Sequence, residues 1–312
     1  MRGSRRGRDL SGEAVLVTGC STGLGLETAL HLAGKGMRVY ATVRELGASA
    51  TIDAAAAERG VTLEVVELDL TAPDSVHAAV ETVVGHAGGI YGLVNNGGIG
   101  LRGCVEDASD AEIRKVFETN VFGTIAVTKA VLPHMRAARR GRIVTLSSVG
   151  GRISSFGVAV YCASKFAQEG LVEGLALEVA PFDVQAILVE PGIVRTTRWT
   201  THRGYAARAH APDSPYRRLF DAAEQLADRV LVRSKTTPDD VARAVHLALT
   251  TDKPRLRYVV ADPGGKAIML RRYLPERLFE RVYFGGLLRQ LQREPTAISP
   301  RTRAGRDPAP GS

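Results

Sequence analysis

Cysteine is scarce in this chain: Cys20, Cys104 and Cys162 are the only three in 312 residues. Their number is odd and their spacing wide, which excludes a disulfide framework and the paired spacing of a zinc site; no metal centre is expected. A reducing, cytoplasmic setting follows as the default. No apolar run reaches the ~18–20 residues that a spanning helix needs. The basic start, Met1 to Arg8, is not followed by an apolar stretch. It reads as a flexible tail over residues 1–10 rather than a secretory signal. The net charge of +8 could suggest nucleic acid, but much of the excess lies in the two tails and the last helical stretch. No zinc-finger spacing, basic zipper or aromatic RNA-binding signature accompanies it, so no nucleic-acid partner is expected. A basic surface suits phosphate-bearing small molecules or an anionic membrane better. No internal repeat at a fixed period is present.

What the sequence does have is steady alternation. Strand-like runs fall at about residues 13–18, 37–43, 61–68, 90–95, 141–148, 183–190 and 255–261. Helical patterns fall at about 23–35, 47–59, 73–87, 110–138, 159–180 and 237–251. Short β-branched runs such as Val184-Gln-Ala-Ile-Leu-Val189 suit strands covered on both faces. The pattern predicts an α/β fold: one doubly wound, Rossmann-type domain over residues 11–262 with a seven-stranded parallel sheet and right-handed crossovers. Residues 263–294 read as an amphipathic helical extension and 295–312 as a disordered tail.

The first strand ends at Val17 and runs into Thr18-Gly-Cys-Ser-Thr-Gly-Leu-Gly25, at the sheet edge where such folds bind ligands. Gly19 permits the tight turn, Gly23 lets the backbone approach a pyrophosphate, and Gly25 allows the next helix to pack closely. The amides of that helix, which opens around Leu24, then face the phosphates. The second strand ends in Val43-Arg44, with the next acid, Glu45, beyond. An NAD site would place a carboxylate there; a guanidinium suits a 2′-phosphate instead. Ser21 and Thr22 could add hydroxyl donors to it. NADP(H) is therefore favoured over NAD(H), the alternative for Arg44 being a solvated loop cation.

Tyr161 and Lys165, at i and i+4, share a helix face. A phenol near pKa ~10 is a poor acid–base group at neutral pH, and a nearby cation favours its phenolate. Lys165 supplies that cation, and Ser148 can hydrogen-bond the substrate oxygen. With the glycine loop, this set predicts hydride exchange between a nicotinamide and a secondary or primary alcohol or its ketone or aldehyde.

The chain resembles the short-chain dehydrogenase/reductases over nearly all of residues 12–262. The resemblance rests on the Thr18–Gly25 loop, Glu67-Leu-Asp-Leu70, Asn95-Asn96-Gly97-Gly98, the Asn120 of Glu118-Thr-Asn-Val121, Ser148, Tyr161 with Lys165, and Pro191-Gly192-Ile193. It implies that Asp69, with Leu70, contacts the adenine, and that Asn96, Gly97 and Gly98 line the adenosine pocket. It also implies that Asn120 holds a water in a proton relay to Lys165, and that Lys165 bonds the nicotinamide ribose. Pro191, Gly192, Ile193 and Thr196 would contact the carboxamide end. Asp69 could instead cap the helix after it, and Asn120 could be a local backbone-bonding residue. Gly97 stands where the family usually has alanine, and looser packing is expected there. Within the family, Val39-Tyr-Ala-Thr-Val-Arg44 and Val160-Tyr-Cys-Ala-Ser-Lys-Phe-Ala167, followed by Glu169-Gly-Leu171, resemble the branch of estradiol 17β-dehydrogenase and retinol dehydrogenases. That branch implies a lipophilic, steroid- or retinoid-like substrate and NADP(H), and family members often form homo-oligomers through the helices at 110–138 and 159–180.

Between Val194 and the helix near Asp239 periodicity is weak, and residues 194–236 read as a substrate loop. Trp199, Tyr205, Tyr216 and Phe220 could wall an apolar pocket, whereas Arg195, Arg198, Arg203 and Arg208 could greet a 3-oxoacyl thioester. A nucleotide-binding regulator without chemistry is the alternative of another class; it would not need Ser148, Tyr161 and Lys165 together. From Ile268 to Leu291 apolar residues recur at helical spacing among arginines, which suits a membrane surface, a cap on the active site or a subunit contact.

Overall fold

Alternation of the side chains along each strand sets the layers. In the computed structural model, which describes residues 8–196, 203–261 and 264–293, Ala14 and Leu16 face one hydrophobic cluster and Val15 and Val17 the other. Their strand, β1 (Ala14–Val17), is followed by β2 (Arg38–Val43), β3 (Glu64–Glu67), β4 (Gly92–Asn95), β5 (Gly141–Leu146), β6 (Val184–Pro191) and β7 (Arg257–Val260). All pair in parallel, in the order β3-β2-β1-β4-β5-β6-β7. The predicted seven-stranded doubly wound sheet is therefore what forms. Because β2 and β4 flank β1, successive crossovers leave it on opposite sides and open a crevice beyond its carboxyl end.

One layer holds α1 (Gly23–Ala33) and α2 (Ser49–Glu58), with the later helix α8; the other holds α3 (Pro73–Ala87), α5 (Gly123–Ala137) and α6 (Ala159–Val179). Here α8 is Pro238–Thr250. Val15, Leu16 and Val17 are all 0% exposed; each contributes about 1.5–3 kcal/mol by burial. This double covering is why the strands read as unbroken apolar runs.

Three segments differ from the sequence reading. The helix expected over 110–138 is α4 (Asp110–Phe117), a π-helical turn Glu118–Phe122, and α5. The stretch of weak periodicity contains a helix, α7 (Arg217–Arg233). The single amphipathic run to Leu291 is broken. Helix α9 (Gly264–Tyr273) stops before Pro275, which cannot continue it and instead opens α10 (Glu276–Phe279), a π-turn Glu280–Phe284 and α11 (Gly285–Arg293). Arg198 and Trp199 lie outside the described residues. Among the described residues no helix is long and apolar enough to cross a membrane, and no cluster of metal-ligating side chains occurs.

Candidate active site

The turn after β1 is built by close approach. Gly19 adopts φ +71°, and a Cβ on Gly25 would stand 2.3 Å from Gly19 O and 2.4 Å from Asn96 Nδ2. Nothing but glycine fits at Gly25. Asn96 braces the same turn: its Nδ2 donates to Thr18 O (2.8 Å) and Gly19 O (3.0 Å). Thr18 Oγ1 accepts from the amides of Asn96 (3.0 Å) and Gly97 (2.9 Å), so β1 and β4 are stitched together where they end. Helix α1 then begins with no acidic residue in its first turn, and its N-cap Thr22 spends no side-chain bond on capping. The uncapped first turn of α1, its positive end and the open approach at Gly23, where nothing stands closer to a Cβ position than Thr196 at 3.9 Å, form a site that fits a pyrophosphate. Cys20, in the middle of this loop, is no nucleophile: burial pushes its thiol up to about 12.

Arg44 follows β2 with its side chain 72% exposed and 3.8 Å from Glu45. Asp69 lies across from it, beyond β3. Its carboxylate accepts from the Thr71 amide and hydroxyl, both at 2.8 Å; the backbone bond foremost, then the hydroxyl and the Arg44 charge, hold its pKa below the usual value. Asp69 thus closes its own turn, while its amide donates to Ser75 Oγ (3.0 Å). The looser packing expected at Gly97 is not what the geometry gives. A Cβ there would lie 2.6 Å from Leu70 Cδ1, so Leu70 already fills the volume of the alanine methyl.

At the ends of β5 and β6 the polar groups of the second half converge. Ser148 Oγ accepts from the Gly150 amide (3.0 Å) and sits 3.5 Å from Pro191 O, at the limit of a hydrogen bond. The place where a Gly150 Cβ would stand is 3.4 Å from Ser148 Oγ and 3.6 Å from Tyr161 Cε1, so hydroxyl and phenol border one space. Lys165 is 5% exposed; its Nζ lies 5.9 Å from the Tyr161 ring centroid and donates to Leu146 O (2.8 Å). Asn120, on the π-turn, is fully buried. Its side chain accepts from Ile99 N (2.7 Å) and donates to Ile99 O (2.9 Å) and Ser164 Oγ (3.0 Å).

The residues that the resemblance assigns to the carboxamide end lie where β6 stops. Gly192 N donates to Val260 O (2.9 Å), Ile193 O accepts from Ser234 Oγ (2.6 Å), and Thr196 comes within 4.0 Å of the position of a Gly23 Cβ. Thus the glycine loop and the β6 segment face each other across the crevice. Beneath Pro191, Glu190 is fully buried against Arg152 (3.0 Å) and Arg257 (3.2 Å). Burial, then the neighbouring Glu169 charge, raise its pKa despite those arginines.

Sequence reasoning missed several supports: Thr18, Gln168 and the pairing of the substrate loop. Tyr205 bridges to Arg102 and donates to Glu224 Oε2 (2.8 Å), which also takes Arg203 (3.0 Å). Arg208 pairs with Asp213 (2.8 Å). Tyr216 donates to Glu106 (2.7 Å), and Phe220 is buried in a small core with Leu101, Val116 and Val160. Arg203 is therefore committed to Glu224 within the loop, whereas Arg208 is a solvent-exposed cation with a surface partner. The one local signal for Gln168 is its spacing: Tyr161, Ser164, Lys165 and Gln168 fall at i, i+3, i+4 and i+7, a polar stripe on a buried helix face.

Comparison with known proteins agrees with this construction. The family model for short chain dehydrogenase matches residues 13–204. Retinol dehydrogenase 8 of Homo sapiens is 38% identical over 253 residues, 78% of this chain and 79% of that one. The 17-beta-hydroxysteroid dehydrogenase type 1 of Homo sapiens is 35% identical over 271 residues, covering 80% and 77%. A short-chain dehydrogenase structure from Streptomyces avermitilis superposes with a TM-score of 0.72 at 32% identity, covering 89% of this chain and 98% of that one. This chain belongs to the short-chain dehydrogenase family and is an oxidoreductase that acts on CH–OH groups with a nicotinamide dinucleotide.

Proposed function

We propose that this chain interconverts a lipophilic alcohol and its ketone or aldehyde with NADP(H), using Tyr161 as the acid–base group. The observation that carries the reading is that Ser148 Oγ and the Tyr161 ring both flank Gly150, with the buried Lys165 ammonium 5.9 Å from the centre of that ring. The bound nicotinamide supplies or accepts the hydride. Ser148 donates to the substrate oxygen and holds it against the phenol, stabilising charge that develops there. Tyr161 gives its proton to that oxygen in reduction and takes it in oxidation, with Lys165 favouring phenolate. The glycine cradle and the first turn of α1 hold the pyrophosphate, while Arg44, with Ser21 and Thr22, receives the 2′-phosphate. Asp69 and Leu70, with Asn96 to Gly98, border the adenosine; Pro191 to Ile193 and Thr196 border the carboxamide.

An apolar substrate suits the open apolar groove of about 280 Å³ lined by Ser154, Ser155, Phe156, Phe284, Leu287, Leu288 and Leu291, which is lined by neither Ser148 nor Tyr161. Retinol and steroid dehydrogenases among the relatives support the same choice. The buried pairing of Arg203 with Glu224 counts against its greeting a 3-oxoacyl thioester. A panel of lipophilic alcohols and ketones with NADPH, NADP⁺, NADH and NAD⁺ tests the reading. Binding of NADPH with no turnover on any member would favour a nucleotide-sensing regulator instead.

Two finer proposals concern partners. Phe122, Phe166 and Leu177, exposed on the π-turn and α6, suit pairing with a second copy, which sedimentation at micromolar concentration would reveal. Met269, Tyr273, Leu278 and Val282 are exposed among Arg271, Arg272, Arg277 and Arg281, which suits peripheral contact with an anionic membrane. Failure to float with anionic vesicles at low salt would remove that contact. All three thiols are free, in keeping with a cytoplasmic setting.

A further inference from the structure

Gln168 is 1% exposed, one turn beyond Lys165 on α6, and every polar atom of its amide is used. Its Nε2 donates to Asn120 O at 2.6 Å and to Thr124 Oγ1 at 3.1 Å. Its Oε1 accepts from Lys165 Nζ at 2.9 Å. A backbone carbonyl only accepts and an ammonium only donates. The gap between Asn120 O and Lys165 Nζ must therefore be bridged by a group carrying both functions, and only one orientation of the Gln168 amide satisfies both. The family resemblance implies that Asn120 holds a water in a proton relay to Lys165. Here a side chain makes that link.

We propose that Gln168 is a positioning residue: its amide ties the Lys165 ammonium to the Asn120 carbonyl on the π-turn and fixes the cation beside Tyr161. This rests on the reading of Tyr161 and Lys165 as the acid–base pair. Leu146 O, at the end of β5, is a second fixed acceptor on the same nitrogen. The ammonium is thus strung between the sheet and a π-turn whose own carbonyl is held by Thr124 Oγ1 (2.8 Å) and Gln168. Each acceptor favours the charged form of the lysine and narrows where the charge can sit. Gln168 therefore acts on the phenol through Lys165, without touching it.

The test reads Tyr161 ionisation directly, from the ultraviolet absorbance of phenolate, as the difference between each protein and the same protein carrying Tyr161→Phe. Gln168→Leu keeps the volume but removes the acceptor from Nζ; the cation becomes less favoured and less fixed. Its field at the phenol weakens, and Tyr161 should ionise about 1 pH unit higher. Gln168→Glu keeps an acceptor but adds a negative charge beside the ammonium, and should move Tyr161 in the same direction. It is the second reading should the leucine variant not fold. With a substrate in hand, kcat should fall about tenfold with KM changed less than about threefold. An ionisation left in place in either folded variant, with only Tm lowered, would show a packing role and overturn the proposal. Because the titration needs no turnover, an inactive parent with a shifted Tyr161 would sink the proposed reaction and leave this inference standing.

Discussion

Tyr161 and Lys165 stand one turn apart on α6, and the lysine nitrogen lies 5.9 Å from the centre of the phenol ring while its side chain is buried. A buried ammonium is costly unless oxygens surround it, and here Leu146 O and Gln168 Oε1 do so. The energy spent in placing the cation is thereby converted into a fixed field at the phenol, on the side of the crevice that Ser148 borders.

Gly25→Ala should break the nucleotide site from within. Its Cβ would collide with Gly19 O and Asn96 Nδ2, neither of which can move without opening the turn. Stability should fall by about 1–3 kcal/mol, and NADPH binding measured by fluorescence should weaken at least about tenfold. Gly85→Ala is the control: nothing lies within 4 Å of its new methyl, so it should stabilise α3 slightly and leave binding alone. Equal binding in the two variants would contradict the cradle.

Arg44→Asp should exchange cofactor preference. The substitution removes the cation proposed to face a 2′-phosphate and offers a carboxylate to a ribose hydroxyl, so KM for NADPH should rise about tenfold or more while NADH improves. An unchanged NADPH to NADH ratio would make Arg44 a solvated side chain and nothing more.

The strands were legible because a sheet buried on both faces writes itself as short apolar runs, and the glycine loop because its turn tolerates no Cβ. Residues whose meaning depends on distant partners were not. Glu224 sits on the buried side of α7, and Arg102, Arg203 and Tyr205, from elsewhere in the chain, make a carboxylate acceptable there. Without them α7 lacks a clean apolar stripe. The π-turn at Glu118–Phe122 is equally silent, since it holds no Gly or Pro to mark a break in the helix; its effect is to aim Asn120 at Ile99 and Ser164. Gln168 reads as a common helical glutamine until that turn packs against it. The residues proposed for the site stood out as motifs, whereas the partners that hold them in place did not.

Glu190→Gln should flatten the pH dependence of stability. Glu190 has its pKa raised in the folded state, by burial first and by Glu169 second, from an ordinary value of 4.5. A raised value means the folded protein holds the proton more tightly, so this contribution is fully present below 4.5 and is lost as pH rises through the folded value. The parent's Tm should therefore decline more than the variant's as pH is taken upward from 4.5. Parallel Tm profiles would contradict it.

The most direct measurement is NADPH oxidation with a lipophilic ketone by the parent and by Tyr161→Phe, alongside NADPH affinity for both. Loss of the phenol proton should cut kcat by about 10²–10⁴, while the dissociation constant for NADPH stays within about threefold. Turnover by Tyr161→Phe at the parental rate would contradict the account.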